Sequence, residues 1–98
     1  MNNATNYIIV DGNWAAWGNW TNCTEECADP LLTPNGGVWN RTRTCSNMMP
    51  QFGGANCSSN YTGNYTMLMD LPLTAFNGTL VQEQLMEDAC NTQPCPSK

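Results

Sequence analysis

Three tryptophans, Trp14, Trp17 and Trp20, recur at intervals of three in the run WAAWGNWTNC, and two arginines, Arg41 and Arg43, recur at an interval of two in VWNRTRTC. The chemistry open to these residue types is non-covalent: a planar guanidinium stacks on the face of an indole, with an attraction of about 0.5 to 2 kcal/mol per contact. Arginines two apart on a strand stand about 6.8 Å from one another. Tryptophans three apart in an extended chain close to polyproline II repeat at about 9 Å. The two spacings come into step if the tryptophan segment ripples, and each guanidinium then slots between two rings. A Trp/Arg ladder of this kind replaces aliphatic packing in a domain too thin to hold a core.

The second chemistry is that of sulfur. Six cysteines, Cys23, Cys27, Cys45, Cys57, Cys90 and Cys95, occur in 98 residues without a single histidine or a paired C-x2-C knuckle. An even set in a short chain of this composition reads as a disulfide framework made in an oxidising compartment, not as a zinc site. Spacing alone leaves all 15 pairings of six cysteines open. Catalysis finds no footing, because no histidine is present, the cysteines are claimed by bridges and no carboxylate pair flanks a nucleophile. Glu25, Glu26 and Asp29 lack calcium-loop spacing and read as a solvated acidic loop. No metal and no cofactor is therefore expected.

Eight Asn-x-Ser/Thr sequons start at Asn3, Asn19, Asn22, Asn40, Asn56, Asn60, Asn64 and Asn77, where chance placement would give about two. They are candidate N-glycosylation sites of a secreted surface. With a net charge of −5, and Arg41, Arg43 and Lys98 as the only cations, the chain has no basic patch for nucleic acid or an anionic membrane. No stretch approaches the length of a membrane span, and the start MNNATNYIIV lacks the basic region of a signal peptide. The reading is a secreted or outward-facing piece of a longer protein, with Met1 added for expression.

The elements that must position these residues follow from pattern. Residues 1–10 form a lead-in, either a linker or an added edge strand ending in YIIV. The tryptophan segment is extended. ADPLLTPNGG is a loop rich in Pro and Gly. In VWNRTRTC strict alternation places Trp39, Arg41, Arg43 and Cys45 on one face of a strand and Val38, Asn40, Thr42 and Thr44 on the other. Residues 46–78 read as loop around a Met- and Leu-rich island, YTMLMDLPLTAF. TLVQEQLMEDAC is ambiguous between strand and helix by pattern, and reads as a strand because residues 38–45 need a cysteine-locked antiparallel partner.

Taken together, WAAWGNWTNCTEEC, GGVWNRTRTC, GANC and DACNTQPCP resemble a thrombospondin type 1 repeat, over residues 11–96. The resemblance implies a small disulfide-rich all-β fold, an elongated three-stranded antiparallel ribbon with one rippled strand and a Trp/Arg ladder. It implies the pairs Cys23 with Cys90, Cys27 with Cys95 and Cys45 with Cys57. Against the family pattern, the stretch from Cys57 to Cys90 is long, which marks an insertion at about 58–78. The usual third cation of the ladder is missing, leaving Gln82, Gln84 or Met86 to fill the last gap. C-mannosylation is implied as well, of Trp14 and Trp17 by the W-x2-W pattern and of Trp20 by its WTNC variant. O-fucosylation is not implied, because Glu26 stands where Ser or Thr is needed.

The expected function is that of an extracellular recognition or adhesion module of a larger secreted, matrix or cell-surface protein. It would bind a protein partner through a rigid glycosylated ribbon, with no enzymatic activity, no nucleic acid, no membrane insertion and little heparin binding. The other readings are an exosite domain of a secreted metalloprotease-like protein and a free-standing small secreted effector. The parent sequence separates them: an H-E-x-x-H elsewhere in it favours the protease. The insertion is read as a satellite core folded over the ladder or as a contact surface.

Overall fold

The computed structural model describes residues 8–96, so expectations for residues 1–7, Asn3 among them, and for Lys98 fall outside the described residues. Three strands form the sheet: β1 (Gly37–Thr44), β2 (Met67–Phe76) and β3 (Thr79–Cys90). Their order is β1-β3-β2, with both pairings antiparallel. The molecule is elongated, 82 × 25 × 18 Å.

A ribbon this thin buries little. Among the described residues, the buried apolar ones are Ala28, Cys45, Cys57, Val81, Met86 and Cys90, and half of them are bridged cysteines. Cross-links and stacking must therefore carry much of the stability that a core supplies in a thicker domain. Three bridges join Cys23 to Cys90, Cys27 to Cys95 and Cys45 to Cys57. The first two close one end of the ribbon and the third the other. Each end needs a glycine beside sulfur: a Cβ on Gly37 would stand 2.7 Å from the sulfur of Cys23, and one on Gly12 2.6 Å from that of Cys45.

The tryptophan segment runs antiparallel along β1 and bonds to it with an uneven step. The amides of Ala15, Gly18, Thr21 and Thr24 donate to the carbonyls of Thr44, Thr42, Asn40 and Val38. Three residues of this segment thus cover the rise of two strand residues, about 6.8 Å, which compresses it well below the roughly 9 Å of relaxed polyproline II. That compression is the ripple. A rippled chain cannot offer a carbonyl to every β1 amide, and threonine hydroxyls substitute: Thr21 Oγ1 accepts from the Asn40 amide and Thr24 Oγ1 from the Val38 amide, each at 3.0 Å.

The stretch expected to be loop differs. Met67–Phe76 is a strand paired along β3, so the insertion widens the sheet instead of looping off it. Its turn is Asn77-Gly78, with φ of 50° and 81°, the two left-handed residues of a type I′ hairpin. The register slips between Leu71 and Thr74, around Pro72, which has no amide to donate and sits on an edge strand where none is required. At the other end of the insertion the Thr66 amide donates to the Glu87 carbonyl. Val10, the end of the lead-in, exchanges both backbone bonds with Gln51.

Candidate functional site: a stack of rings and guanidinium planes

The alternating side chains of β1 and every third residue of the rippled segment interleave. Trp39 lies on Trp20 with ring centroids 4.8 Å apart and planes 11° from parallel. The Arg41 guanidinium carbon is 4.4 Å from the Trp20 ring and 5.4 Å from that of Trp17. Arg43 is 4.5 Å from both Trp17 and Trp14. The order along the ribbon is therefore Trp39, Trp20, Arg41, Trp17, Arg43, Trp14. Halving the strand repeat leaves about 3.4 Å per layer, the thickness of a stacked ring.

Trp39 joins the stack although it was not assigned to the ladder; its place two residues before Arg41 carried the signal. Tyr61 comes from the insertion and has no period to betray it. Its ring lies 5.2 Å from the Arg43 guanidinium and meets Trp17 edge-on at 5.6 Å. Tyr65 packs beside it at 5.9 Å. Trp14 is pinned from the same side, its indole N–H donating to the Ser58 carbonyl at 2.7 Å.

Among the described residues no third cation follows Arg43 in the stack; a buried amide takes over beside it. Gln84 is 1% exposed. Its Oε1 accepts from Arg43 Nε at 2.9 Å and Nη2 at 2.6 Å. Its Nε2 donates to the Ser59 carbonyl at 2.9 Å and to Asp70 Oδ1 at 3.1 Å, while Ser59 Oγ donates to Asp70 Oδ2. A neutral amide thus links a guanidinium to a carboxylate, with every polar atom of its head engaged. Burial pulls the Arg43 guanidinium below the usual arginine range, and Tyr61 acts in the opposite direction. Gln82 has another task, closing two bonds with the backbone of Cys57. Met86, fully buried, stands opposite Arg41 on β1 and Leu68 on β2.

Of the sequon asparagines, Asn19, Asn22, Asn56, Asn60, Asn64 and Asn77 are exposed and Asn40 is half-buried. Asn19 and Asn22 share the row of the rippled segment that faces neither the ladder nor β1. The indole N–H of Trp17 and of Trp39 and the Arg41 Nε are buried without a hydrogen-bond partner, their planes being committed to the stack.

These features define a class, a disulfide-stapled three-stranded ribbon whose interior is a pile of indoles and guanidinium groups. No family model and no solved structure matches the chain. Relatives do. Hemicentin-1 of Mus musculus is 36% identical over 88 residues, covering 90% of this chain and 1% of that protein. Semaphorin-5A of Homo sapiens is 29% identical over 121 residues, 89% of this chain and 11% of that protein. SCO-spondin of Gallus gallus is 43% identical over 49 residues, 50% of this chain and 1% of that protein. All three carry thrombospondin type 1 repeats. The matches along about 90% of the chain, together with the three disulfides, fit a thrombospondin type 1 repeat. It spans only a small part of each of these relatives, which are extracellular matrix and cell-surface proteins of adhesion and guidance and not enzymes. The chain is correspondingly extracellular, secreted or on the outer face of a membrane protein.

Proposed function

We infer that this repeat is a recognition or adhesion module of a larger secreted or cell-surface protein, and that it meets a protein partner across its rigid ribbon. The observation that carries the reading is the match to hemicentin-1 along 90% of the chain. The geometry supports it in kind: the ladder's rings and guanidinium groups and the six cysteines are spent on stacking and bridges, which hold a surface still. In this reading the exposed sequon asparagines carry N-glycans, and Trp14, Trp17 and Trp20 carry C-mannose. The lead-in of residues 1–10 joins the repeat, residues 11–96, to a preceding part of the parent protein.

Cell attachment tests the function. Surfaces coated with the oxidised protein should retain cells, and surfaces coated with the reduced and alkylated protein should not. Attachment to both alike, or to neither, contradicts a folded recognition module. Glycopeptide mass spectrometry of protein made in a secretory cell line tests the modifications, with unmodified Trp14 and Trp17 peptides as the adverse result.

A further inference from the structure

The turn that joins β2 to β3 is also a sequon: in Phe76-Asn77-Gly78-Thr79 the Asn-x-Thr signal begins at the tip of the hairpin. Asn77 and Gly78 take the two left-handed positions, with φ of 50° and 81°, and Phe76 pairs with Thr79 across the turn. Asparagine is among the few residues with a side chain that enter this region readily, and glycine follows it at no steric cost. The left-handed φ of Asn77 has a second effect. Successive side chains of an extended strand alternate between its two faces. Relative to the strand value of about −140°, a φ of 50° turns the Asn77 Cβ about the planar peptide unit by roughly 190°. The Asn77 side chain therefore returns to the side on which Phe76 stands. Thr79 shares that side, because directly paired residues of an antiparallel ladder present their side chains to one face, about 5 Å apart.

Of the eight sequon asparagines only Asn40 and Asn77 directly follow an aromatic residue. Asn40 lies inside β1, where alternation sends Trp39 to the opposite face, and the Trp39 ring is stacked on Trp20. Phe76 is 38% exposed, so part of its ring is open on the side to which Asn77 points. The group that a sequon asparagine carries begins with an N-acetylhexosamine, whose pyranose ring has an apolar face of axial C–H bonds. Those C–H bonds are weakly positive and the face of an aromatic ring is negative, so the two attract when stacked, and both take apolar surface out of water.

We propose that the first sugar of an N-glycan on Asn77 packs flat on the Phe76 ring, with Thr79 beside it, so that glycan and hairpin form one unit. The proposal rests on the reading that exposed sequon asparagines carry N-glycans, and adds what one of those glycans does. Attachment through the side-chain amide leaves the backbone of the turn free to keep its left-handed pair. The sugar covers a ring that the bare protein leaves partly in water, and so stabilises the β2–β3 hairpin. It also fixes the direction in which the glycan leaves the tip of the insertion, where a sugar on an isolated loop asparagine would swing freely.

The test uses protein secreted by cells that leave its glycans rich in mannose, trimmed by an endoglycosidase to one sugar per occupied site. Glycopeptide mass spectrometry reads Asn77 first. An unmodified Asn77 overturns the proposal together with the N-glycan reading of that site. In the trimmed protein, NMR should show the C–H signals of one sugar moved upfield of all the others by the ring current of Phe76. Thr79→Val, which destroys the sequon and keeps a branched side chain, should abolish that set of signals. Phe76→Thr should keep the sugar and return its signals to the common range. Both residues sit at an exposed tip, so native disulfides are expected of each variant. An occupied Asn77 whose sugar is not shifted, or whose shift survives Phe76→Thr, overturns the packing and leaves the N-glycan reading standing. Thermal unfolding gives a second measurement. Thr79→Val should lower the midpoint of the glycosylated protein by about 4 °C more than it lowers that of unglycosylated bacterial protein. In the Phe76→Thr background that excess should vanish. An excess that is absent with Phe76 in place, or unchanged without it, also overturns the proposal.

Discussion

Gln84 occupies the point where the ladder runs out of cations, and its worth can be measured. Replacing it by alanine leaves the buried side of Arg43 and one oxygen of Asp70 without their partner, a loss of about 1 to 3 kcal/mol for groups stranded away from water. Glu83→Ala, on the opposite face, should change stability by at most about 0.5 kcal/mol. Thermal unfolding under non-reducing conditions compares them, and equal midpoints would remove Gln84 from the account. Arg43→Lys makes a sharper demand on the same rung. The charge survives, but the flat group between Trp14 and Trp17 and the two-pronged bond to Gln84 are lost. The lysine variant should melt well below the wild type, and a midpoint within error of it would show that charge alone suffices. The depressed Arg43 value means that the folded state disfavours the charged form. Any relief of that penalty comes only as pH rises through the arginine range, so the rung should contribute unchanged from about pH 5 to pH 9.

At the scale of elements, the insertion is a structural member. Through Tyr61, Ser59 and Asp70 it touches the ladder from the side opposite the rippled segment, and through β2 it doubles the partners of β3. Deleting residues 60–77 with a short Gly-Ser bridge should therefore lower the unfolding midpoint. If the midpoint holds, the insertion is a contact surface or a glycan carrier and nothing more. VWNRTRTC was legible as a strand because it alternates; TLVQEQLMEDAC is ambiguous between strand and helix by pattern and was legible only as the cysteine-locked partner that residues 38–45 need, while the elongated ribbon followed from the resemblance to the thrombospondin type 1 repeat. The stacking partners were legible because intervals of three and two leave few other arrangements for five such residues. β2 was not, since MLMDLPLTAF has apolar residues on both faces and a proline inside, which is how an edge strand with a bulge reads. The pair Asn77-Gly78, noted only as part of a sequon, was the one local sign of its hairpin. Tyr61 lay in the insertion that reads as folding over the ladder, but its particular partners, like those of Asp70, lie in other segments, and nothing periodic precedes either residue.

The whole molecule is acidic, and its two described arginines lie between rings. Binding to sulfated glycans works through accessible cations and released counterions, so the protein should pass through a heparin column at about 0.15 M salt. Retention above that salt would mean that the stack opens its edge to ligand. The placement of the bridges also has a mechanical consequence. A load applied between Val10 and Cys95 travels down the tryptophan segment and then crosses through sulfur, by Cys23–Cys90 or Cys27–Cys95, without entering the sheet. The bridged residues are 67 and 68 positions apart, and the chain between them is slack that tension cannot draw on. Under pull the ribbon is a short, nearly inextensible strut. Reducing those two bridges would free roughly 200 Å of contour per repeat, turning the strut into a spring.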